Sequence, residues 1–126
     1  MNIGFIGCGM IARTMADTIN RLNNPEIVLY AVASRNIAKA LEFKNDYRAI
    51  VAYGSYEESA NDKNIDLVYI ATPHSHHYEH MLLALNNNKN VLCEKPFTIN
   101  YKQALDIISL AKKKNLLVCE AIWTRF

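Results

Sequence analysis

The sequence predicts an α/β fold, a doubly wound parallel sheet of about six strands with helices on both faces. Short apolar runs alternate with amphipathic runs along the whole chain of 126 residues, without repeats or low-complexity segments. The run at 66–71 (DLVYIA) is almost continuously apolar, as expected for a strand that helices cover on both sides. Because parallel neighbours need long right-handed connections, we expect the strand order 3-2-1-4-5-6, with a ligand outside the carboxyl ends of the strands.

The strands are predicted from short runs rich in Val, Ile, Leu and Tyr. In chain order they are residues 1–6, 26–34, 49–53, 66–71, 91–93 and 116–120. The run at 49–53 carries the weakest signal of the six. Each of the first five strands is followed by a segment with a different spacing of apolar residues, which indicates a helical crossover.

The helices are predicted from apolar positions that recur at helical spacing. They are residues 10–22, 36–46, a short helix after Ser55, 76–88 and 100–114. Pro25 stops the first helix, and Ser55 is a plausible N-cap because Glu58 follows three residues later. The side chains expected to face the core are Ile37, Ala38, Ala40 and Leu41 in the second helix, Tyr78, Met81, Leu82 and Leu85 in the fourth, and Ala104, Ile107, Ile108 and Ala111 in the last.

Composition limits the class of protein. The length suits one domain, and a net charge of +2 is too small to indicate a nucleic-acid or membrane-surface partner. The basic run 112–114 lies at a predicted helix end, where cations complement the helix dipole. Cys8, Cys93 and Cys119 are odd in number and widely spaced, which favours reduced thiols in a cytoplasmic protein over a disulfide framework. No apolar segment approaches the roughly 18 residues of a membrane span, and the start lacks the pattern of a signal peptide.

A glycine motif lies between the first strand and the first helix. Gly7 and Gly9 stand where a backbone must turn sharply and approach a pyrophosphate, and Ala12 stands where the helix packs on its strand. Backbone N–H groups and the helix N-terminus would hold the phosphates. The alternative is a tight strand-to-helix turn without a ligand. The surrounding strand and helix favour dinucleotide binding.

The end of the second strand indicates which dinucleotide binds. An acidic residue there would hydrogen-bond the ribose 2′-hydroxyl of NAD, whereas this chain has Ser34-Arg35-Asn36. A hydroxyl and a guanidinium would hold a 2′-phosphate, which favours NADP(H). The alternative is that Arg35 only stacks on adenine and that both NAD and NADP bind.

Two further loops carry polar groups. The segment Ala71-Thr72-Pro73 leads into four histidines, His74, His76, His77 and His80. His76 and His80 are one helical turn apart, but their spacing lacks the acidic residue of H-E-x-x-H and no third ligand is evident, so we expect no metal.

Cys93-Glu94-Lys95-Pro96 follows the fifth strand. A lysine where nicotinamide and substrate meet can share a proton with a reacting hydroxyl, and Glu94 could orient it. The alternative is a surface lysine ahead of a rigid proline turn.

Together these motifs resemble the glucose–fructose oxidoreductase / inositol dehydrogenase (Gfo/Idh/MocA) family, in order along essentially the whole chain. The residues that carry the resemblance are Gly7, Gly9, Ala12, Ser34, Arg35, Ala71, Thr72, Pro73, His77, Glu94, Lys95 and Pro96. The closing residues 120–126 (EAIWTRF) look most like the branch with dimeric dihydrodiol dehydrogenases and glucose–fructose oxidoreductase, which use NADP(H).

The resemblance implies a Rossmann domain of an NADP(H)-dependent dehydrogenase, with NAD possible, that transfers a hydride to or from a sugar, cyclitol or diol. It implies that Lys95 is the catalytic or substrate-orienting lysine. The cofactor contacts it implies are Gly7, Cys8, Gly9, Met10, Ile11, Ser34, Arg35, Ala71, Thr72, Pro73, His77, Glu94 and Lys95. Thr72, Pro73 and His77 would line the nicotinamide side.

The resemblance also sets an expectation for domain organisation. Family members carry a second, C-terminal α/β domain that supplies most of the substrate pocket and the oligomer interface. We therefore expect residues 1–120 to be the dinucleotide-binding domain and 121–126 to begin the connection to a domain that this sequence lacks. The full-length protein would be a homo-oligomer, and the segment alone would be inactive. The alternative is a non-catalytic dinucleotide-binding module or sensor, and a zinc hydrolase that uses His76 and His80 ranks below both.

Overall fold

The structure of the protein is a computed structural model, which describes residues 1–122. Within these residues, six strands form one sheet in the order β3-β2-β1-β4-β5-β6, and every neighbouring pair is parallel. The strands are β1 Asn2–Ile6, β2 Val28–Ala33, β3 Val51–Tyr53, β4 Leu67–Ile70, β5 Asn90–Cys93 and β6 Val118–Glu120. The predicted α/β class and strand order are confirmed. The carboxyl ends of all six strands consequently meet at one edge of the sheet.

In the described part of the chain, five α-helices connect these strands. They are α1 Met10–Leu22, α2 Ile37–Tyr47, α3 Tyr56–Asn61, α4 His77–Asn86 and α5 Tyr101–Lys114. Short polar side chains begin three of them, since Asn36, Ser55 and Asn100 accept hydrogen bonds from the first-turn N–H groups of α2, α3 and α5 at 3.0, 3.2 and 3.0 Å. The predicted cap at Ser55 is therefore confirmed.

The core has two buried clusters, one on each face of the sheet. Phe5 of β1 and Tyr69 of β4 pack with α1 and α2, whereas their neighbours Ile6 and Ile70 pack with α4 and α5. Successive strand residues point to opposite faces, so one run of apolar residues feeds both clusters. This arrangement explains why the central strands are continuously apolar.

The structure corrects several inward-facing positions. Ile37 and Leu41 of α2 are 46% and 47% exposed, Ala38 of the same helix is also exposed, and Ile108 of α5 is 38% exposed. Ala40 is buried as expected, and Phe43 is the other buried side chain of α2. The ring of Phe43 packs against Phe5 and Tyr47 at centroid distances of 6.1 and 4.6 Å. A large aromatic ring sets the rotation of α2 more strongly than the smaller residues around it.

The bounds of the fourth helix also differ from the prediction. It starts at His77 after a short 3-10 turn at His74–His76, and it ends at Asn86. Pro73 precedes that turn in an extended conformation, and the three residues of the turn separate it from the α-helix. Of the predicted connection at 121–126, residues 123–126 lie outside the described part of the chain.

Candidate functional site

The loop between β1 and α1 contains two glycines with different requirements. Gly7 has φ +107°, and a Cβ at this position would lie 2.8 Å from the carbonyl oxygen of Ala71. Gly9 is extended and exposed, and a Cβ there would meet the same oxygen at 4.0 Å. The fold itself therefore requires glycine at position 7, whereas position 9 keeps the surface above the loop open.

The N-terminus of α1 is suited to an anion. Gly9 caps this helix of 13 residues without a side-chain hydrogen bond, and the first turn holds no acidic residue. Met10 and Ile11 are 84% and 45% exposed, so the loop and first turn face solvent. Backbone N–H groups at such a helix end attract phosphate oxygens.

Cys8, between the two glycines, is half-buried, and burial raises the pKa of its thiol. This thiol is therefore not activated as a nucleophile.

The loop after β2 presents Arg35 at the site. The hydroxyl of Ser34 accepts a hydrogen bond from the N–H of Asn36 at 3.2 Å, which fixes the turn into α2. Arg35 is exposed and lines a cavity of about 250 Å³ together with Tyr56, Thr72, Pro73, His76 and His80. Two carboxylates, Glu57 and Glu79, lie on the lining of the same cavity.

The loop after β4 is held by buried polar contacts. The Thr72 hydroxyl is paired with Nδ1 of His80 at 2.9 Å, and its carbonyl oxygen is paired with Nε2 of His77 at 2.9 Å. His77 was expected to line the nicotinamide side; its ring is 1% exposed and lies beneath the loop, with Nδ1 paired to the Pro96 carbonyl oxygen at 2.8 Å. Pro73 is exposed at the loop surface.

The loop after β5 carries Lys95 with its side chain exposed. The carboxylate of Glu94 accepts a hydrogen bond from the buried Tyr69 hydroxyl at 2.7 Å and a weaker one from the backbone N–H of Lys95 at 3.4 Å. Burial and the bond to Glu94 raise the pKa of Tyr69, which remains a neutral donor. Glu94 thus joins Tyr69 of β4 to the start of the loop that carries Lys95. The adjacent Cys93 thiol has its pKa raised to about 12 by burial.

The histidines after β4 form a stacked pair. The rings of His76 and His80 lie 5.8 Å apart, and Tyr56 packs edge-on against His80 at 4.7 Å. Among residues 1–122, no group of three or more His, Cys, Asp or Glu side chains is placed to hold a metal ion. Burial, and next the charge of His76, lower the pKa of His80 to about 4, so its ring is neutral at pH 7.

This lowered pKa predicts a pH dependence of stability. Between pH 6.5, the ordinary pKa of histidine, and about 4, the unfolded chain binds a proton at His80 that the folded chain does not. The stabilisation is therefore fully present above pH 6.5 and decreases as the pH falls toward 4. Urea denaturation at a series of pH values should show that the free energy of unfolding decreases less toward acid pH in His80→Gln than in the unaltered chain. Glutamine keeps a hydrogen-bond partner for Thr72. An unchanged pH profile in this variant would contradict the assignment.

The four predicted site segments thus come together at the carboxyl edge of the sheet. Three residues of the site were not predicted from the sequence: Tyr56, Tyr69 and Glu120. Glu120 accepts a hydrogen bond from the N–H of Phe97 at 2.7 Å, two residues beyond Lys95. Tyr69 could have been suspected, because a tyrosine inside a continuously apolar strand needs a partner for its hydroxyl.

Another cavity, of about 460 Å³, lies at the opposite edge of the sheet. Asn24, Pro25 and Arg48 are among its lining residues, together with Val28 at the amino end of β2. The loops of the predicted site do not reach it. Although this cavity is larger than the one beside Arg35, we do not assign the functional site to it, because ligands of open parallel sheets bind at the carboxyl ends of the strands.

Comparison with known proteins shows the family of this chain. The Gfo/Idh/MocA family model, described as "Oxidoreductase family, NAD-binding Rossmann fold", matches residues 1–121. The chain belongs to this family. Within the described residues, no helix combines the length and apolar character needed to span a membrane.

Similar proteins include named dehydrogenases. A trans-1,2-dihydrobenzene-1,2-diol dehydrogenase from Danio rerio is 42% identical over 98% of this chain and 37% of its own length. A D-xylose 1-dehydrogenase (NADP(+)) from Hypocrea jecorina is 42% identical over 98% of this chain and 34% of its own length.

Among solved structures, a 3-ketoreductase from Actinomadura kijaniata in complex with NADP has a TM-score of 0.88 and 30% identity, over 95% of this chain and 38% of its own. This chain therefore spans little more than a third of the length of these relatives.

Proposed function

We propose that this chain is the cofactor-binding part of an NADP(H)-dependent oxidoreductase that acts on a hydroxyl or carbonyl group of a sugar, cyclitol or diol. The observation that carries the proposal is that the loops after β1, β2, β4 and β5 lie at one edge of the sheet. The glycine turn, Arg35 and Lys95 are distributed over that edge in the order that an extended dinucleotide needs. The relatives named for diols and sugars support the substrate class.

Different groups of residues bind different parts of the cofactor. The loop with Gly7, Cys8 and Gly9 and the first turn of α1, with Met10 and Ile11, hold the pyrophosphate through backbone N–H groups. The adenine end lies toward Arg35 and Tyr56. Thr72 and Pro73 line the same 250 Å³ cavity, and their loop after β4 lies between Arg35 and Lys95 along the edge of the sheet. The nicotinamide end lies toward Thr72 and Lys95, on the side of β4 and β5.

The preference for NADP(H) over NAD(H) rests on the end of β2. Ser34 and Arg35 stand where an acidic residue would accept the ribose 2′-hydroxyl of NAD. A guanidinium binds a phosphate by charge-assisted hydrogen bonds that the free hydroxyl does not offer. The NADP-dependent xylose dehydrogenase and the ketoreductase solved with NADP support this preference.

The chemistry assigned to this edge is hydride transfer, which the nicotinamide supplies when the cofactor is bound. Lys95 lies just after β5 with its side chain exposed, and its backbone N–H donates a weak hydrogen bond to the carboxylate of Glu94. From there the ammonium group can donate a hydrogen bond to the substrate oxygen and stabilise negative charge that develops on it. We also propose that a C-terminal domain provides the substrate specificity, that the full-length protein is a homo-oligomer, and that it is cytoplasmic.

Cofactor choice is tested by titrating the chain with NADPH and with NADH, followed by nicotinamide fluorescence. Arg35→Ala should weaken NADPH binding by about tenfold to a hundredfold, the effect of losing a hydrogen bond to a charged group, and leave NADH nearly unchanged. Arg21→Ala is the matched control, because Arg21 is exposed in the last turn of α1. If Arg35→Ala and Arg21→Ala behave alike toward NADPH, Arg35 does not bind the 2′-phosphate.

A further inference from the structure

His77 lies between the two loops that carry the nicotinamide side of the site. It is the first residue of α4, its ring is 1% exposed, and each ring nitrogen has a partner in a different loop. Nε2 lies 2.9 Å from the carbonyl oxygen of Thr72, after β4, and Nδ1 lies 2.8 Å from the carbonyl oxygen of Pro96, after β5. One buried ring therefore spans the gap between adjacent strand ends.

Both partners are carbonyl oxygens, which accept hydrogen bonds and cannot donate them. The two bonds exist together only when both ring nitrogens carry protons. Three other titratable side chains form hydrogen bonds with the same loops. Glu94 accepts one from the N–H of Lys95, and Glu120 accepts one from the N–H of Phe97. His80 is hydrogen-bonded to the hydroxyl of Thr72.

The bridge also extends to the glycine turn. The carbonyl oxygen and the carbon of Ala71 lie so close to Gly7 that a Cβ on the glycine would meet them at 2.8 and 3.0 Å. Thr72 follows directly in the chain, and its carbonyl is the one that His77 holds. A continuous set of contacts thus runs from the glycine turn, through Thr72 and the imidazole ring, to Pro96 and its neighbour Lys95.

We propose that His77 is a positioning residue that fixes the backbone at Lys95 relative to the cofactor loops, through simultaneous hydrogen bonds to Thr72 and Pro96. The inference rests on the proposed function for the role of Lys95, whereas the bridge itself is a property of the chain without cofactor. The ring acts from beneath the loops and needs no contact with substrate or cofactor.

The first test uses the unaltered chain without cofactor. NMR of ¹³C,¹⁵N-labelled protein should show scalar coupling across both hydrogen bonds, from the His77 ring nitrogens to the carbonyl carbons of Thr72 and Pro96. Coupling at only one nitrogen, or at neither, overturns the bridge. Because no cofactor is present, the result can be read whether or not the chain binds NADPH.

The second test compares His77→Leu, which removes both donors, with His77→Gln, which retains an amide donor. His74→Gln is the control, since His74 is exposed in the preceding turn. Amide exchange at Phe97 should be about tenfold faster in His77→Leu than in the unaltered chain, with His77→Gln intermediate, while Val68 in β4 is unchanged. Should His77→Leu not fold, His77→Gln against His74→Gln gives the comparison, and equal exchange at Phe97 in that pair contradicts the proposal.

Discussion

Gly7→Ala should destabilise the fold and abolish NADPH binding, whereas Gly9→Ala should abolish binding alone. At position 7 an added Cβ would lie 2.8 Å from the backbone oxygen of Ala71, at a φ of +107° that alanine rarely adopts. Strain of this kind is worth about 1–3 kcal/mol, and the close backbone contact adds to it. At position 9 the backbone is extended and a Cβ is 4.0 Å from that oxygen, so the fold can accept a methyl group.

The methyl group at position 9 instead projects from the loop where the pyrophosphate approaches. Urea denaturation measures the free energy of unfolding of both variants, and nicotinamide fluorescence measures binding. Gly54→Ala is the control, because a Cβ there meets Ile37 at 3.6 Å, an ordinary contact without a positive φ. Normal NADPH binding by Gly9→Ala would remove the glycine loop from the proposed cofactor site.

Phe43→Ala is expected to have the largest effect on stability. Phe43 is fully buried on the inner side of α2, where its ring packs against the rings of Phe5 and Tyr47. Truncation of a buried phenylalanine costs about 3–5 kcal/mol, a large part of the 5–15 kcal/mol that holds a domain together. Leu41→Ala, on the exposed side of the same helix at 47% exposure, should change the free energy of unfolding by less than about 1 kcal/mol. Similar destabilisation by both substitutions would contradict the rotation of α2.

The strand order could be predicted because it depends on long patterns. When strands alternate with right-handed helical crossovers, only a few strand orders are possible. A continuous run of apolar residues also indicates which strands lie in the centre of the sheet, where helices cover both faces. The rotation of single helices depends on finer differences. Leu41 and Ile108 have the spacing of core residues. In α2, however, the ring of Phe43 is buried and Leu41 is exposed, and in α5 Ile107 and Ala111 are buried and Ile108 is exposed.

The site could be predicted as far as its backbone positions. Gly7, Arg35 and Lys95 follow strands in the sequence, and parallel strands bring their carboxyl ends together. The side-chain contacts that hold those positions could not be foreseen. Glu94 follows Tyr69 by 25 residues and His77 precedes Pro96 by 19, so their bonds depend on the register between β4 and β5.

The central claim, that the carboxyl edge of the sheet binds a dinucleotide phosphate, is tested most directly by mapping NADPH onto the backbone. In a ¹H–¹⁵N NMR titration, we predict that the amide signals of Gly7, Gly9, Arg35 and Thr72 shift together and saturate with NADPH. Signals at the opposite edge, such as that of Asn24, should stay in place. No saturable shift at the glycine loop, or shifts confined to the opposite edge, would contradict the assignment.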